Sequence, residues 1–383
     1  MSWDSIIGQV NQKQVLQNSI IKNRIHNSYL FYGNEGVGKV ATAIELAKVL
    51  NCLNPVINGN SISACDNCQS CKQFQMLSHS NLHLIFSLPT PKNGDSKADD
   101  YISRFSDEQV IDIQNQIQLL AENPYHRIQL PSANSIKIDQ IRDLKRKISL
   151  RSGVAGKQVV IILNAEEMTP EASNSLLKTL EESDPNIVII LTTSRKEVLL
   201  STILSRTQQI YFQPLTYREI YQRILQNFTI EDNTARIIAT LANGSYSTAL
   251  QYIENGFTDI RLEFVEIFRT ILKKRNYRID FLKKIEKIIK EADQKSIVNG
   301  LLLFQSWLRD AFNLSLNPNN QKIINSDQID VLKSFVHNFK DYDFLKAFSK
   351  IEYSLILIKK NVNIQIILVN LFLSLRQIVY KNN

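Results

Sequence analysis

Four cysteines and one glycine-rich loop hold most of the chemistry that this chain could carry out. Every cysteine falls in one window, at Cys52, Cys65, Cys68 and Cys71, with the spacing C-x12-C-x2-C-x2-C. A CxxC turn points two sulfurs at one centre, so four thiolates arranged this way suit tetrahedral zinc. Such clustering argues against four unrelated buried thiols, and a reducing interior argues against a disulfide pair. No open ligand position stands nearby, so the expected zinc site is closed and structural. An iron–sulfur cluster is the minor alternative, because four cysteines also hold one. The five histidines, at 26, 79, 83, 126 and 337, form no metal or catalytic spacing.

The loop is Gly33–Val40, GNEGVGKV. It follows an apolar run, Ser28 to Tyr32, and leads into a helical pattern, Ala41 to Leu50, which is the context a Walker A loop requires. Gly33, Gly36 and Gly38 let backbone N–H groups approach phosphate oxygens, and Lys39 would meet the β/γ charge. The next position should offer a hydroxyl to Mg²⁺, but it is Val40. A side chain of methyl groups cannot ligate a hard cation that takes oxygen. The loop therefore keeps an amide cradle for an anion and lacks its metal partner. Nucleotide binding stays open at this point, and hydrolysis is not expected.

The elements around these residues follow from periodicity. Residues 1–26 read as a helical lead-in, with Ile6, Val10, Val15, Leu16 and Ile20 as its apolar positions. Strands are expected at Tyr29–Tyr32, Leu82–Phe86, Val159–Leu163 and Ile187–Leu191, the last running into Thr192-Thr193. VVIIL is a continuous apolar run that fits a strand buried on both faces. Helices are expected at Ala41–Leu50, Ile138–Leu150 and Pro170–Glu182, with Thr169 as a cap and Pro170 in the first turn. Strands alternating with helices indicate a parallel α/β sheet. Residues 89–134 read as an insertion outside the core. It opens on the polar, turn-rich LPTPKNGDSKADD and holds a helix at Ser106–Ala121, begun by a Ser106/Gln109 capping box.

After Pro214 no convincing strand follows. Short helices over 216–256, broken near Asn243-Gly244, give way to longer amphipathic helices over 258–380. One of these is Asp280–Ala292, with Leu282, Ile285, Ile288 and Ile289 on one face and four lysines on the other, solvated face. The low counts of glycine (11) and proline (9) agree with a helix-rich chain. A net charge of +8 hints at a nucleic-acid neighbourhood, though a basic proteome would give the same figure. The most apolar run, Ile364 to Leu375, contains Gln365, Asn370 and Ser374 and is too short and polar to span a bilayer. MSWDSIIGQV shows no basic segment followed by an apolar core, so the expected location is cytoplasmic, with no membrane partner.

The order of these pieces resembles the clamp-loader branch of the AAA+ proteins. The match covers residues 1–256, and the helical remainder agrees in kind. The cysteine module just after the Walker A helix is similar to a zinc insertion of bacterial DNA polymerase III clamp-loader subunits. SLLKTLEES (Ser175–Ser183) and TTSRKEVLLSTILSRT (Thr192–Thr207) are similar to further motifs of that branch, the latter to a sensor-1 Thr followed by Ser-Arg-Cys. The resemblance implies α/β plus all-α architecture: an AAA+ P-loop domain over 1–213 with a zinc module at 52–71, a helical lid over 214–257, and a helical collar over 258–383. It assigns Thr193 to sensor 1.

Three motifs depart from the family's catalytic pattern. The Walker A hydroxyl is replaced by Val40. The Walker B Asp-Glu falls on Leu163 and Asn164, and Glu166 or Glu167 would lie beyond the strand end. The sensor-2 arginine falls on Ser247 in GSYSTAL. Phosphoryl transfer depends on positioned charge and metal, so losing several such groups leaves little rate. Ser205-Arg206-Thr207 keeps the arginine, which the resemblance assigns to the γ-phosphate of a neighbouring subunit's site. The implied protein is a non-hydrolysing ring subunit with no catalytic residue acting in its own site. Its implied partners are motor-type and delta-type clamp-loader subunits, and through the assembly the sliding clamp and primed DNA. Two rival readings are an ATP-hydrolysing motor subunit with unusual residues and a stand-alone zinc-stabilised DNA-binding protein.

Overall fold

In the computed structural model, the structure describes residues 2–91, 101–150, 153–181, 184–254, 257–318 and 323–380. The chain divides into two compact units, one of residues 1–220 with 243–247 and the other of 221–242 with 248–383.

The first unit is built on a five-stranded sheet. Its strands are β1 (Ser28–Tyr32), β4 (Leu82–Ile85), β5 (Gln158–Ile162), β6 (Ile187–Thr193) and β7 (Gln208–Tyr211), in the order β4-β5-β6-β1-β7, while β2 (Val56–Asn58) and β3 (Ser61–Ser63) form a separate hairpin. All four pairings in the large sheet are parallel. Parallel strands must be covered on both faces, which is why β5 is buried at every position. On one face, Leu30, Val160, Ile162, Ile189 and Leu191 pack with Ile141, Leu144 and Ile148 of a helix over Ile138–Ser149 and with Ala172, Leu176 and Leu180 of a helix over Pro170–Glu181. Those spacings put each set on one stripe of its helix.

Among the described residues the first unit holds the helices α1 (Val10–Ile21), α2 (Lys39–Leu50), α3 (Gln69–Gln75), α4 (Asp107–Glu122), α5 (Ile138–Ser149), α6 (Pro170–Glu181) and α7 (Ser201–Ser205). The phosphate loop joins β1 to α2, so α2 starts two residues earlier than periodicity placed it. The Ser106/Gln109 capping box stands at the start of α4. Glu182 and Ser183, the end of the expected helix and of the SLLKTLEES motif, lie outside the described residues, as do 92–100 of the polar loop.

The lead-in differs from its reading. A short 3-10 turn at Trp3–Ser5 precedes α1, and Val10 and Val15 are exposed while Ile6 and Leu16 are buried. The insertion is also more than loop: Tyr101, Phe105, Ile113, Leu120 and Tyr125 are all buried.

The second unit is helical throughout its described residues, and α8 (Tyr217–Asn227) and α10 (Tyr246–Glu254) cross the unit boundaries. Its other helices are α9 (Asp232–Leu241), α11 (Phe257–Ile271), α12 (Tyr277–Glu291), α13 (Gln294–Leu316), α14 (Ile329–Asn338), α15 (Phe344–Lys359) and α16 (Ile364–Tyr380). An aromatic core gathers Phe268, Phe304, Trp307 and Phe335. Beside it, buried Arg261 donates to Asn325 and Asp327, and Asn325 in turn donates to buried Asp310. In α12 the inward stripe is Phe281, Ile285 and Ile288, with Leu282 exposed. The stripe is thus rotated from the expected one because the larger ring takes the core position. Among the described residues no helix is long and apolar enough to cross a membrane.

Candidate phosphate-loop site and metal centre

The loop has the backbone of an anion cradle. Gly36 and Gly38 adopt positive φ, 71° and 98°, where a side chain would be strained. Gly38 caps α2, and Thr42 Oγ1 donates back to its carbonyl at 2.8 Å. Lys39 is buried, 7% exposed. Its ammonium donates to the loop's own carbonyls, to Gly33 at 2.7 Å and to Asn34. Burial pushes it down to about 8, against the opposing pull of Glu166 and Glu35. Val40 follows it, half-buried, with no oxygen to offer.

The two positions just after β5, Leu163 and Asn164, carry no carboxylate. Leu163 is buried and Asn164 takes a left-handed φ of 50°, which Asn tolerates better than most residues. Asn164 N–H donates to Thr192 Oγ1 at 3.3 Å, and its side-chain amide donates to Glu167 at 3.2 Å. A 3-10 turn at Ala165–Glu167 then sends the two carboxylates apart. Glu167 accepts from Ser87, whereas Glu166 accepts from the N–H and hydroxyl of Ser194 at 3.0 and 2.7 Å. Burial alone would raise the Glu166 carboxyl. Donors from Ser194, the backbone and Thr193 outweigh it and hold it below the usual range.

Glu166 is the residue that sequence reasoning passed over. It lies past the strand end, yet the turn carries its carboxylate back to the sensor-1 segment and within electrostatic reach of Lys39. Thr193 is fully buried, and its hydroxyl accepts from Arg195 N–H at 3.0 Å.

The segment 245–247 lies against the loop. Tyr246 N–H donates to Gly36 O at 3.0 Å, and a Cβ on Gly36 would stand 2.3 Å from Ser245 Oγ. Ser247 does not reach toward the loop with charge; its hydroxyl donates to Tyr125 O at 2.6 Å. Arg206 stands apart from all of these. It follows α7, its side chain is 36% exposed, and its guanidinium pairs with Glu181 at 2.7 Å and donates to Thr202 O at 3.1 Å. The structure therefore gathers Gly33, Gly36, Gly38 and Lys39 in the loop, holds the Glu166 carboxylate on Ser194, and leaves Arg206 partly exposed beside Glu181.

The cysteines converge at the far end of α2. One ligand atom from each of Cys52, Cys65, Cys68 and Cys71 lies within 4.8 Å of the others, and the Cys65 and Cys71 sulfurs are 3.9 Å apart. A zinc–sulfur bond of about 2.3 Å in a tetrahedron sets sulfurs roughly 3.8 Å apart, so the donor set fits. Backbone N–H groups support it: Cys65 N donates to Cys52 Sγ at 3.2 Å, and Cys68 N and Cys71 N donate to the preceding cysteine sulfurs, each at 3.4 Å. Amides of Asn67 and Cys68 lower the Cys65 thiol to about 6, toward the thiolate a metal needs. The module is tied to α2 by buried Lys48, which pairs with Glu45 at 2.9 Å and with Asp66 of the cysteine loop.

Parallel sheet, phosphate loop and helical remainder together define an AAA+ P-loop protein of the clamp-loader kind. The chain belongs to the DNA polymerase III delta subunit family: that family's model matches residues 8–216, and the model of the delta subunit's C-terminal part matches 255–377. It is similar to DNA polymerase III subunit delta' of Bacillus subtilis, with 25% identity over 366 residues and 95% of each chain covered. It is also similar to DNA polymerase III subunit gamma/tau of Mycoplasma genitalium, with 26% identity over 90% of this chain and 53% of that one. A crystal structure of a DNA polymerase III gamma subunit-related protein from Thermotoga maritima aligns over 95% of this chain and 99% of that chain, at 16% identity and a TM-score of 0.42.

Two outcomes are expected. The purified chain should carry about one zinc per four-cysteine centre. Cys68→Ser with Cys71→Ser should lose it and unfold at lower urea; full stability without metal, or the visible absorption of an iron–sulfur cluster, would count against zinc. For Lys39, the native form releases its proton near pH 8 and the unfolded chain near 10.5. The unfolded state therefore binds more protons across that window, and stability rises with pH. Urea midpoints of the unaltered chain relative to Lys39→Met should shift in favour of the unaltered chain between pH 7 and pH 9.5; an unchanged difference would refute the shift.

Proposed function

We propose that this chain is a clamp-loader subunit of DNA polymerase III that does not hydrolyse ATP in its own loop, and that Arg206 serves a neighbouring subunit's ATP site. The observation that carries the reading is the chemistry around Lys39. No oxygen stands at Val40 or Leu163 to hold Mg²⁺, Asn164 cannot act as a base, and Ser247 is spent on a backbone carbonyl. Catalysis of phosphoryl transfer rests on metal and positioned charge, and the groups expected to supply them are replaced by Val40, Leu163, Asn164 and Ser247.

Arg206 supports the second half of the proposal by its position. It is a surface guanidinium in a Ser-Arg-Thr sequence, held in place by an exposed carboxylate, Glu181, and one carbonyl. Surface pairs of this sort contribute little, ~0–1 kcal/mol, so the arginine is easily released to an incoming phosphate. On this reading the first unit is the AAA+ domain with its zinc module. The helices of 214–257 form a lid and those of 258–383 a collar that joins the ring. Zinc, held by Cys52, Cys65, Cys68 and Cys71, would supply a cross-link and no catalysis. The sliding clamp and primed DNA are reached through the assembly, in the cytoplasm.

One observation favours a second reading, a motor subunit. Glu166 sits close enough to Lys39 to perturb it and is turned toward the sensor-1 segment. If it oriented water or metal, Glu166→Gln would abolish a hydrolysis that the first reading says is absent.

The first reading expects Arg206→Ala to leave folding intact and to lower the ATPase of the complex reconstituted with its motor subunits by roughly 10³-fold at the affected site. An unchanged rate would remove the trans role.

A further inference from the structure

The turn between α11 and α12 carries charge that its own surroundings leave uncompensated. Residues 272–280 read LKKRNYRID, four cations against one carboxylate. Lys273, Lys274, Arg275 and Arg278 are all exposed, and among the described residues none of them pairs with an acid. The helices on either side are different. Lys284 and Lys287 of α12 meet Glu266 and Glu263 of α11 at 3.8 and 2.7 Å, and Arg269 pairs with Glu266. The turn is also anchored from α16. Arg376 lies over the rings of Tyr277 and Tyr380, 3.9 and 4.4 Å from their centroids. Its guanidinium donates to the carbonyl of Ile271 and, at 2.8 Å, to that of Lys273. The Tyr380 hydroxyl donates to Leu272 O at 2.7 Å. Three successive carbonyls are thus pinned, and a fifth cation stands beside the four.

We infer that this turn is a direct contact for the phosphate backbone of double-stranded DNA. Like charges held on one short turn repel each other, and a polyanion laid across them removes that repulsion. A DNA duplex is a dense linear anion, with one negative charge per ~1.7 Å of its axis. Arg376 covers a face of each tyrosine ring, and the unpaired exposed groups are cations, so the turn offers charge and little to read a base with. Such contacts fix position on the backbone and carry no sequence preference. A lipid surface would need a broad apolar face to insert. Here only Ile279 and Leu282 are exposed, because the stripe of Phe281, Ile285 and Ile288 is turned into the core. The inference rests on the clamp-loader reading for the choice of DNA among polyanions. It adds a contact made by this chain itself to one reached through the assembly.

Titrating the isolated, zinc-replete full-length chain with a fluorescent duplex of arbitrary sequence, at salt from 50 to 200 mM, tests the contact without ATP or partner. Its outcome is therefore independent of the role proposed for Arg206. The unaltered chain should bind, with affinity falling steeply as salt rises. Lys273→Gln, Lys274→Gln, Arg275→Gln and Arg278→Gln together should weaken binding at least ~10-fold at 50 mM salt and flatten the log–log salt slope by about 3–4, at roughly 0.9 per lost phosphate contact. A control variant loses the same charge at cations already paired: Arg236→Gln, Arg269→Gln, Lys284→Gln and Lys287→Gln. It should keep most of the affinity. No binding by the unaltered chain, or equal losses in the two variants, would overturn the inference. So would a turn variant that binds duplex normally and loses only its hold on phosphatidylglycerol vesicles. Should the fourfold variant fail to fold, Lys274→Gln with Arg275→Gln, both outside the helices, should still flatten the slope by about 2, and an unchanged slope would refute the contact.

Discussion

A buried ammonium must find oxygen, and the rest of this site follows from where Lys39 finds it. Removing an amine from water without acceptors is costly, so the side chain folds back onto the carbonyls of Gly33 and Asn34. That satisfies the ammonium's hydrogen bonds within the loop. Desolvation lowers the lysine's proton affinity, and Glu166 and Glu35 only partly restore it. The ammonium's hydrogen bonds are thus taken up by the loop's own carbonyls, while burial leaves its charge only partly compensated.

α2 connects this loop to the cysteine centre. Its first residue is Lys39, and its last turns hold Lys48, whose ion pairs with Glu45 and Asp66 fasten the cysteine loop to the helix. Asn51, just past the helix, extends the attachment: it donates to Ala47 O and Lys157 O and accepts from Asn81 at 3.0 Å. A metal at the four thiols would stiffen the C-terminal end of the helix whose N-terminal end is the loop. The module's place in the fold is therefore structural, at the opposite end of α2 from the phosphate cradle.

Much of this was legible in the sequence, for physical reasons. VVIIL announced a doubly covered strand, the glycine-lysine loop announced a helix start, and C-x2-C-x2-C announced convergent sulfurs. What escaped had weak local signals. β7 (QQIY) buries only Ile210 and owes its place to pairing with β1. The β2–β3 hairpin turns at Gly59-Asn60, between the paired Asn58 and Ser61, a signal present in the sequence and overshadowed by the cysteines around it. Glu166 could not be placed by counting along a strand, because a 3-10 turn reverses its direction. The insertion read as lying outside the core because its buried residues are widely spaced and meet the first unit through long-range contacts such as Tyr125 to Ile7.

Whether the chain consumes fuel is the question on which the account turns. The most direct measurement is release of labelled phosphate from ATP by the isolated, zinc-replete chain with Mg²⁺, beside a Lys39→Met control. A subunit that does not hydrolyse ATP should show no difference between the two. Turnover that the lysine substitution abolishes would contradict it.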